Sequence, residues 1–257
     1  MSEPRPNENY SLRGLRYLVQ DQEARRVTIV TFSASLCLIF CYYLSVSDVR
    51  FWLFRLYSEN ITVFQGPDNL HAKVYWGLNV FLWYFIAPAL IIKLVLRQPL
   101  SDYGFARTGV LNGLKTYGLL FAVMLPLIIY FSYNAHFQET YPFYRLNSNS
   151  DVLSFKRLLV WEVVYAMQFL AVEFFFRGFL LHGLKKTAGF LAISAMVLPY
   201  CMIHFGKPMP EAIGSIVAGY VLGYLSLRSN NIFPGMLLHI SVAYSMDILS
   251  LWHKGLL

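Results

Sequence analysis

A carboxylate and a guanidinium stand inside one of the most apolar stretches of this chain. Glu173 and Arg177 flank three phenylalanines in the run EFFFRGFLLHGL. Residues four apart lie on one face of a helix, so the spacing predicts an ion pair, with the phenylalanine rings covering the other faces and excluding water. A carboxylate in this setting could act as a general base, and a structural ion pair would have the same spacing. The run alone leaves both interpretations open.

Two histidines in later apolar stretches could complete such a site. His204 ends one stretch, with Tyr200 one helical turn before it, and His239 lies within another. Together with Glu173 they could orient and activate a water molecule directly. They could also bind a divalent metal such as zinc and leave one coordination position open for water.

The composition indicates that these residues are positioned by membrane helices. Hydrophobic residues make up 57% of the 257 residues and charged residues only 14%, against about 25% charged in an average soluble domain. A spanning helix needs about 20 apolar residues. Seven stretches predict an all-α, polytopic transmembrane helix bundle: Val27–Val46, Val74–Ile92, Thr116–Asn134, Leu158–Leu184, Thr187–Ile203, Ala212–Leu227 and Ile232–Trp252.

Ionisable residues are concentrated in the last four predicted helices. A charge at the centre of a membrane helix costs about 2.5–3.5 kcal/mol and normally has a partner and a function. We therefore expect a polar cytoplasmic N-terminal segment at 1–26, scaffold helices at 27–154 and a functional helix core at 155–257. A transporter that uses the charges as an ion path fits less well, because no repeated halves are visible.

The net charge of +7 does not predict a nucleic-acid partner. The lysines and arginines lie between the apolar stretches, where they orient a protein in its membrane. The three cysteines lack the spacing of a metal site. We expect the lipid bilayer as partner and a multi-pass integral membrane location. Compact loops without a targeting peptide favour a prokaryotic inner membrane, with the endoplasmic reticulum as the alternative.

Three ordered motifs resemble those of the CPBP family, the CAAX-protease and bacteriocin-processing (Abi-type) intramembrane proteases. That family has a Glu-Glu-x-x-x-Arg motif, then an aromatic-x-x-x-His motif, then His-x-x-x-Asn. The run from Glu173 to Arg177, the run Tyr200-Cys-Met-Ile-His204 and His239 match in order and spacing over roughly residues 155–250. The earlier run 98–105, QPLSDYGF, is similar to a short segment that often precedes these domains.

The resemblance implies an intramembrane endopeptidase that hydrolyses peptide bonds of membrane-anchored or lipidated proteins or peptides. It implies that Glu173 activates water and that His204 and His239 orient the water or stabilise the oxyanion. Arg177 would position Glu173 electrostatically. If a metal is bound, its ligands would be Glu173, His204 and His239.

Two positions depart from the family pattern. Val172 stands where the first glutamate is expected, the one usually assigned to water activation, and Ala243 stands in the place of the asparagine. Glu173 would then act as the base, and Asp247, one turn after Ala243, could supply the missing polar group. The alternative is a catalytically silent membrane binding or immunity-type module of the same fold.

Other polar residues could assist the site or pair elsewhere. Glu211 follows Pro210 at a predicted helix start, where a carboxylate complements the helix dipole, and with Lys207 it could also gate the site. Glu162 is eleven residues before Glu173, or ~16 Å along a helix, so we expect it to pair within the bundle.

The predicted helix bounds place His204 and His239 at different membrane depths. His204 would lie nearer than His239 to the membrane face opposite the N-terminal segment. The two can meet only if a helix is broken, tilted or offset, which Pro199 or Pro234 would permit.

Overall fold

The structure, a computed structural model, describes residues 18–45, 70–106, 113–145 and 152–257. Most of the predicted N-terminal segment 1–26 lies outside these ranges. The helices are α1 Gln22–Ser45, α2 Leu70–Val95, α3 Leu114–Ser132, α4 Ala135–Thr140, α5 Val152–Glu173, α6 Gly183–Ala188, α7 Leu191–Met202, α8 Met209–Ser229 and α9 Phe233–His253.

Within these described ranges, six helical spans are long and apolar enough to cross a bilayer, which confirms the predicted all-α polytopic bundle. The fourth of these, Phe155–Ala188, is one continuous rod in which a π-helix, Phe174–His182, joins α5 to α6. The predicted span Thr187–Ile203 is shorter in the structure, because the chain turns after Ala188 and α7 has only 12 residues. At 1.5 Å per residue α7 is ~18 Å long, against a hydrocarbon core of about 30 Å.

The core of the bundle is built mainly from aromatic rings around the π-helix. Phe174, Phe175 and Phe176 are fully buried, and Tyr84 of α2 stacks on Phe175 with ring centroids 4.5 Å apart. In contrast, α3 exposes large apolar side chains such as Leu119, which is 65% exposed. A bilayer tolerates such surfaces, whereas water would not.

Close helix contact depends on small residues at the interfaces. A Cβ atom at Gly219 of α8 would lie 2.8 Å from Val197 Cγ2 of α7, so only glycine permits this approach. Membrane helices gain stability mainly from such packing, since lipid offers no hydrophobic drive for association. The tight α7–α8 pair holds the end of α7, where His204 lies.

Candidate active site

Glu173 and Arg177 form a completely buried ion pair at the junction between α5 and the π-helix. Arg177 Nη1 lies 3.1 Å from Glu173 Oε1, and the two side chains are 0% and 1% exposed. The spacing of four residues therefore brings them together as predicted. Their proximity in a water-poor core strengthens the attraction between the charges.

The Arg177 guanidinium also lies over the ring of Tyr200 from α7, with Cζ 3.8 Å from the ring centroid. Among the described residues, no acceptor meets hydrogen-bond geometry with its three nitrogens. Buried polar groups normally have such partners. The guanidinium thus keeps donors available for a water molecule or a substrate oxygen.

His239 of α9 contacts the same carboxylate oxygen as Arg177. Its Nδ1 lies 3.0 Å from Glu173 Oε1. A carboxylate oxygen accepts, so Nδ1 donates its proton and Nε2 is left for other contacts. His239 is 17% exposed, which makes it more accessible than Glu173.

The start of α9 approaches the second oxygen of Glu173. A Cβ atom at Gly235, in the first turn of α9, would lie 2.9 Å from Glu173 Oε2. The N-terminal turn of a helix carries unpaired N–H groups and partial positive charge. The carboxylate is therefore stabilised as an anion by Arg177, by His239 and by the N-terminal end of α9.

His204 lies just after α7 and is 7% exposed. Its Nδ1 donates to the Tyr200 carbonyl oxygen at 3.0 Å, because a carbonyl can only accept, so Nε2 keeps its lone pair. Burial, and then the charge of Lys207, lowers the pKa of His204 to about 4. The imidazole is therefore neutral at pH 7 and can accept a proton.

Tyr200 joins the two histidines. Its ring contacts the rings of His204 and His239, with centroids 4.9 Å and 6.5 Å apart. The depth difference expected from the sequence does not keep the histidines apart, and α7, which contains Pro199, is a short helix of 12 residues. The first turn of α9 contains Pro234. The five residues of the family motifs thus form one connected cluster.

The same three side chains do not make a metal-binding group as placed. Among the residues that the structure describes, no set of three His, Cys, Asp or Glu side chains could hold a metal ion. Glu173 and His239 are hydrogen-bonded to each other. A zinc-dependent reaction stays a prediction.

The predicted accessory residue Glu211 belongs to a polar chain beside His204. Its Oε1 accepts from Lys207 Nζ at 2.5 Å, and its Oε2 accepts from the Tyr141 hydroxyl at 2.7 Å. This chain connects the loop after α7 to the segment after α4. A role as a gate stays a prediction.

Asp247 of α9 and Glu162 of α5 lie close enough to influence each other electrostatically, but Asp247 Oδ2 and Glu162 Oε2 have no hydrogen-bond partner in the described part of the chain. Asp247 Oδ1 accepts from the Phe143 backbone N–H at 3.1 Å, and the side chain is 1% exposed. A pairing of Glu162 within the bundle stays a prediction. Asp247 shows no contact with Glu173 among the described residues. Its surroundings therefore do not support the idea that Asp247 takes the role of the family asparagine.

Both positions that depart from the family pattern lie in apolar surroundings. Val172 is 5% exposed and packs in the aromatic core. Ala243 is 4% exposed and packs with Tyr165 and Phe169. Glu173 is thus the carboxylate of the first motif. Val172 is apolar where the family has a second carboxylate, and Ala243 is apolar where the family has an amide.

The sequence did not predict three supports of the site. Phe169, one turn before Glu173, packs on His239 with ring centroids 4.7 Å apart, and its spacing from Glu173 could have indicated this. Gly235 gives room to the carboxylate, and an isolated glycine in a helical pattern often has a packing reason. The run 98–105 supports the start of α9, since the Gly104 carbonyl accepts from Ile232 N–H at 3.0 Å.

The close approach of Gly235 to Glu173 leads to a testable prediction. Gly235→Ala should lower peptide cleavage by about 100-fold, because a methyl group 2.9 Å from Glu173 Oε2 displaces the carboxylate, and a shift of about 1 Å can cost that much. The midpoint of thermal unfolding in detergent should change little. Gly214→Ala in α8 is the control, as nothing lies within 4 Å of its added Cβ. Equal rates in the two variants would contradict the role of Gly235.

Comparison with known proteins agrees with the motifs. Residues 154–245 match the family model described as Type II CAAX prenyl endopeptidase Rce1-like. No curated protein and no solved structure matches the chain. The matched segment contains Glu173, Arg177, Tyr200, His204 and His239, and it ends before Asp247. The chain is thus a multi-pass integral membrane protein whose residues 154–245 are similar to the Rce1-like type II CAAX prenyl endopeptidases.

Proposed function

We propose that this protein is an intramembrane endopeptidase in which Glu173 activates water for peptide-bond hydrolysis. The observation that carries the proposal is the contact of one buried carboxylate with Arg177 at 3.1 Å and with His239 at 3.0 Å. An ion pair that only fixed helix packing would not require a histidine with a free Nε2 on a third element. The family match supports protease chemistry.

The residues of the cluster account for the proton that moves from the water to the leaving amine. Glu173 takes a proton from water as the water oxygen attacks the scissile carbonyl carbon. Arg177 stabilises the negative charge on the carbonyl oxygen, and His239 holds Glu173 in place through its Nδ1 proton. The proton on Glu173 then passes to the amide nitrogen as the C–N bond breaks, which gives a new carboxyl terminus and a free amine. His204, neutral and with a free Nε2, accepts a hydrogen bond from the water and orients it.

The proposed substrates are membrane-anchored or lipidated proteins or peptides. The printed family description names a CAAX prenyl endopeptidase, so a prenylated peptide is the first substrate to test. The location of the cluster among membrane-spanning helices supports this choice, because the apolar anchor of such a substrate would lie in the same bilayer. The residues around Val172 and Ala243 support the second candidate, a silent binding module.

The two candidates differ in whether product is formed. The full chain in detergent should cleave a prenylated peptide with a labelled C-terminus, with both fragments seen by mass spectrometry. His204→Ala and His239→Ala should each lower the rate by roughly 10²-fold, the usual cost when reacting groups are misplaced by about 1 Å. His136→Ala is the control, since that side chain is 58% exposed on α4. Binding of the peptide without any fragments would favour the silent module.

A further inference from the structure

A cavity lies away from the Glu173 cluster, where the segment after α3 meets the residues that follow α9. It has a volume of about 270 Å³ and is lined by Gln138, Glu139, Pro142, Arg145, Lys254 and Leu256. None of these side chains takes part in the proposed hydrolysis. Two of the six are cations.

Both cations are bonded only to backbone oxygens in the described part of the chain. Arg145 Nη2 donates to the Glu139 carbonyl at 2.7 Å. Lys254 Nζ donates to the Gln138 carbonyl at 2.7 Å and to the Tyr141 carbonyl. Carbonyl oxygens hold the side chains in place but do not cancel their charge, so the cavity has two positioned positive charges.

The electrostatics of the cavity favour an anion. Burial, and then the charge of Arg145, lowers the pKa of Lys254, while the charge of Asp247 acts in the opposite direction. The acidic side chain in the lining is Glu139, which is 76% exposed and lies 3.7 Å from His136. An anion bound between Arg145 and Lys254 would be attracted by both charges and accept charge-assisted hydrogen bonds.

Exposed aromatic rings place the cavity at the surface of the membrane. Tyr130, Tyr133 and Trp252 are 73%, 73% and 69% exposed near the ends of α3 and α9. The Tyr133 ring contacts His253, with centroids 4.4 Å apart. Tyrosine and tryptophan are enriched at the level of the lipid headgroups. The anion available at that level is the phosphate of a lipid.

We propose that Arg145 and Lys254 bind the phosphate of an anionic phospholipid headgroup in this cavity. The bound headgroup joins the end of α9 to the segment after α4. That segment includes Tyr141, whose hydroxyl donates to Glu211, so occupancy also stabilises the polar chain beside His204. The site does not depend on the proposed hydrolysis.

The test measures thermal unfolding of the full chain in detergent during titration with dioctanoyl phosphatidylglycerol. The anionic lipid should raise the unfolding midpoint at concentrations where dioctanoyl phosphatidylcholine has little effect. Arg145→Gln combined with Lys254→Gln should weaken the apparent affinity by roughly tenfold or more, as expected for losing charge-assisted hydrogen bonds. Arg145→Gln alone should weaken it less and should fold, because this exposed side chain touches only a backbone oxygen.

The control removes the same charge from the start of α5. Lys156 and Arg157 are exposed, and their double glutamine variant should bind the lipid as the wild type does. Equal loss in both double variants would overturn the site in favour of a diffuse surface charge. Equal stabilisation by phosphatidylcholine would overturn it as well. Equal stabilisation by inorganic phosphate at the same concentration would show a simple anion site and overturn the lipid assignment.

Discussion

Replacement of Glu173 by glutamine is expected to abolish peptide cleavage, with a rate at least about 10²–10⁴ below that of the wild type. Glutamine keeps the shape of the side chain and an oxygen that can accept from Arg177 and His239. It cannot take a proton from water at neutral pH. The measurement is single-turnover cleavage of a prenylated peptide, normalised to the folded fraction.

The matched control for this variant is Glu162→Gln. Glu162 is a second acidic residue of α5, close to Asp247, and it lies ~16 Å along the helix from Glu173. The same change from carboxyl to amide is made on the same helix without touching the cluster. If Glu173→Gln cleaved peptide as fast as Glu162→Gln, Glu173 would not be the base.

Removal of the Arg177 charge should have the largest effect on stability. Arg177→Met leaves the Glu173 carboxylate buried without its main partner, which typically costs about 3–5 kcal/mol. The measurement is the free energy of unfolding in mixed micelles. The same variant should lose activity, because the oxyanion loses a donor.

The double variant Glu173→Gln/Arg177→Met separates stability from catalysis. Both charges are removed, and replacement of a whole buried ion pair is often neutral or stabilising. We expect unfolding free energy close to that of the wild type and no recovery of cleavage. If the double variant lost as much unfolding free energy as the two single variants together, the pairing seen at 3.1 Å would be contradicted. The effects of changes at contacting residues do not simply add.

The sequence was sufficient for six of the seven predicted spans and for the members of the cluster. Apolar length predicted the spans, and a spacing of four predicted the contact between Glu173 and Arg177. The order of motifs then selected Tyr200, His204 and His239. These features are local, so each can be read from one segment of the chain.

Contacts between segments were harder to predict. Asp247 was expected to serve the site by its spacing from Ala243, but in the structure it accepts from the Phe143 backbone N–H and lies near Glu162 of another helix. The π-helix was not predicted, because apolar length and a spacing of four residues do not distinguish π-helical turns from α-helical turns. The role of Gly235 depends on which side chain faces α9, and no pattern within α9 contains that information. These features follow from tertiary packing.

The position of both charges on one continuous helical rod has a consequence for biogenesis. Glu173 and Arg177 are four residues apart within Phe155–Ala188. Each charge alone would cost about 2.5–3.5 kcal/mol on entering the bilayer, but the two can neutralise each other before any other helix has arrived. The ion pair can therefore enter the bilayer with little net charge, and His239 joins later, when α9 packs against the rod. The pair needs no partner helix at the moment of insertion, only when it becomes competent for chemistry.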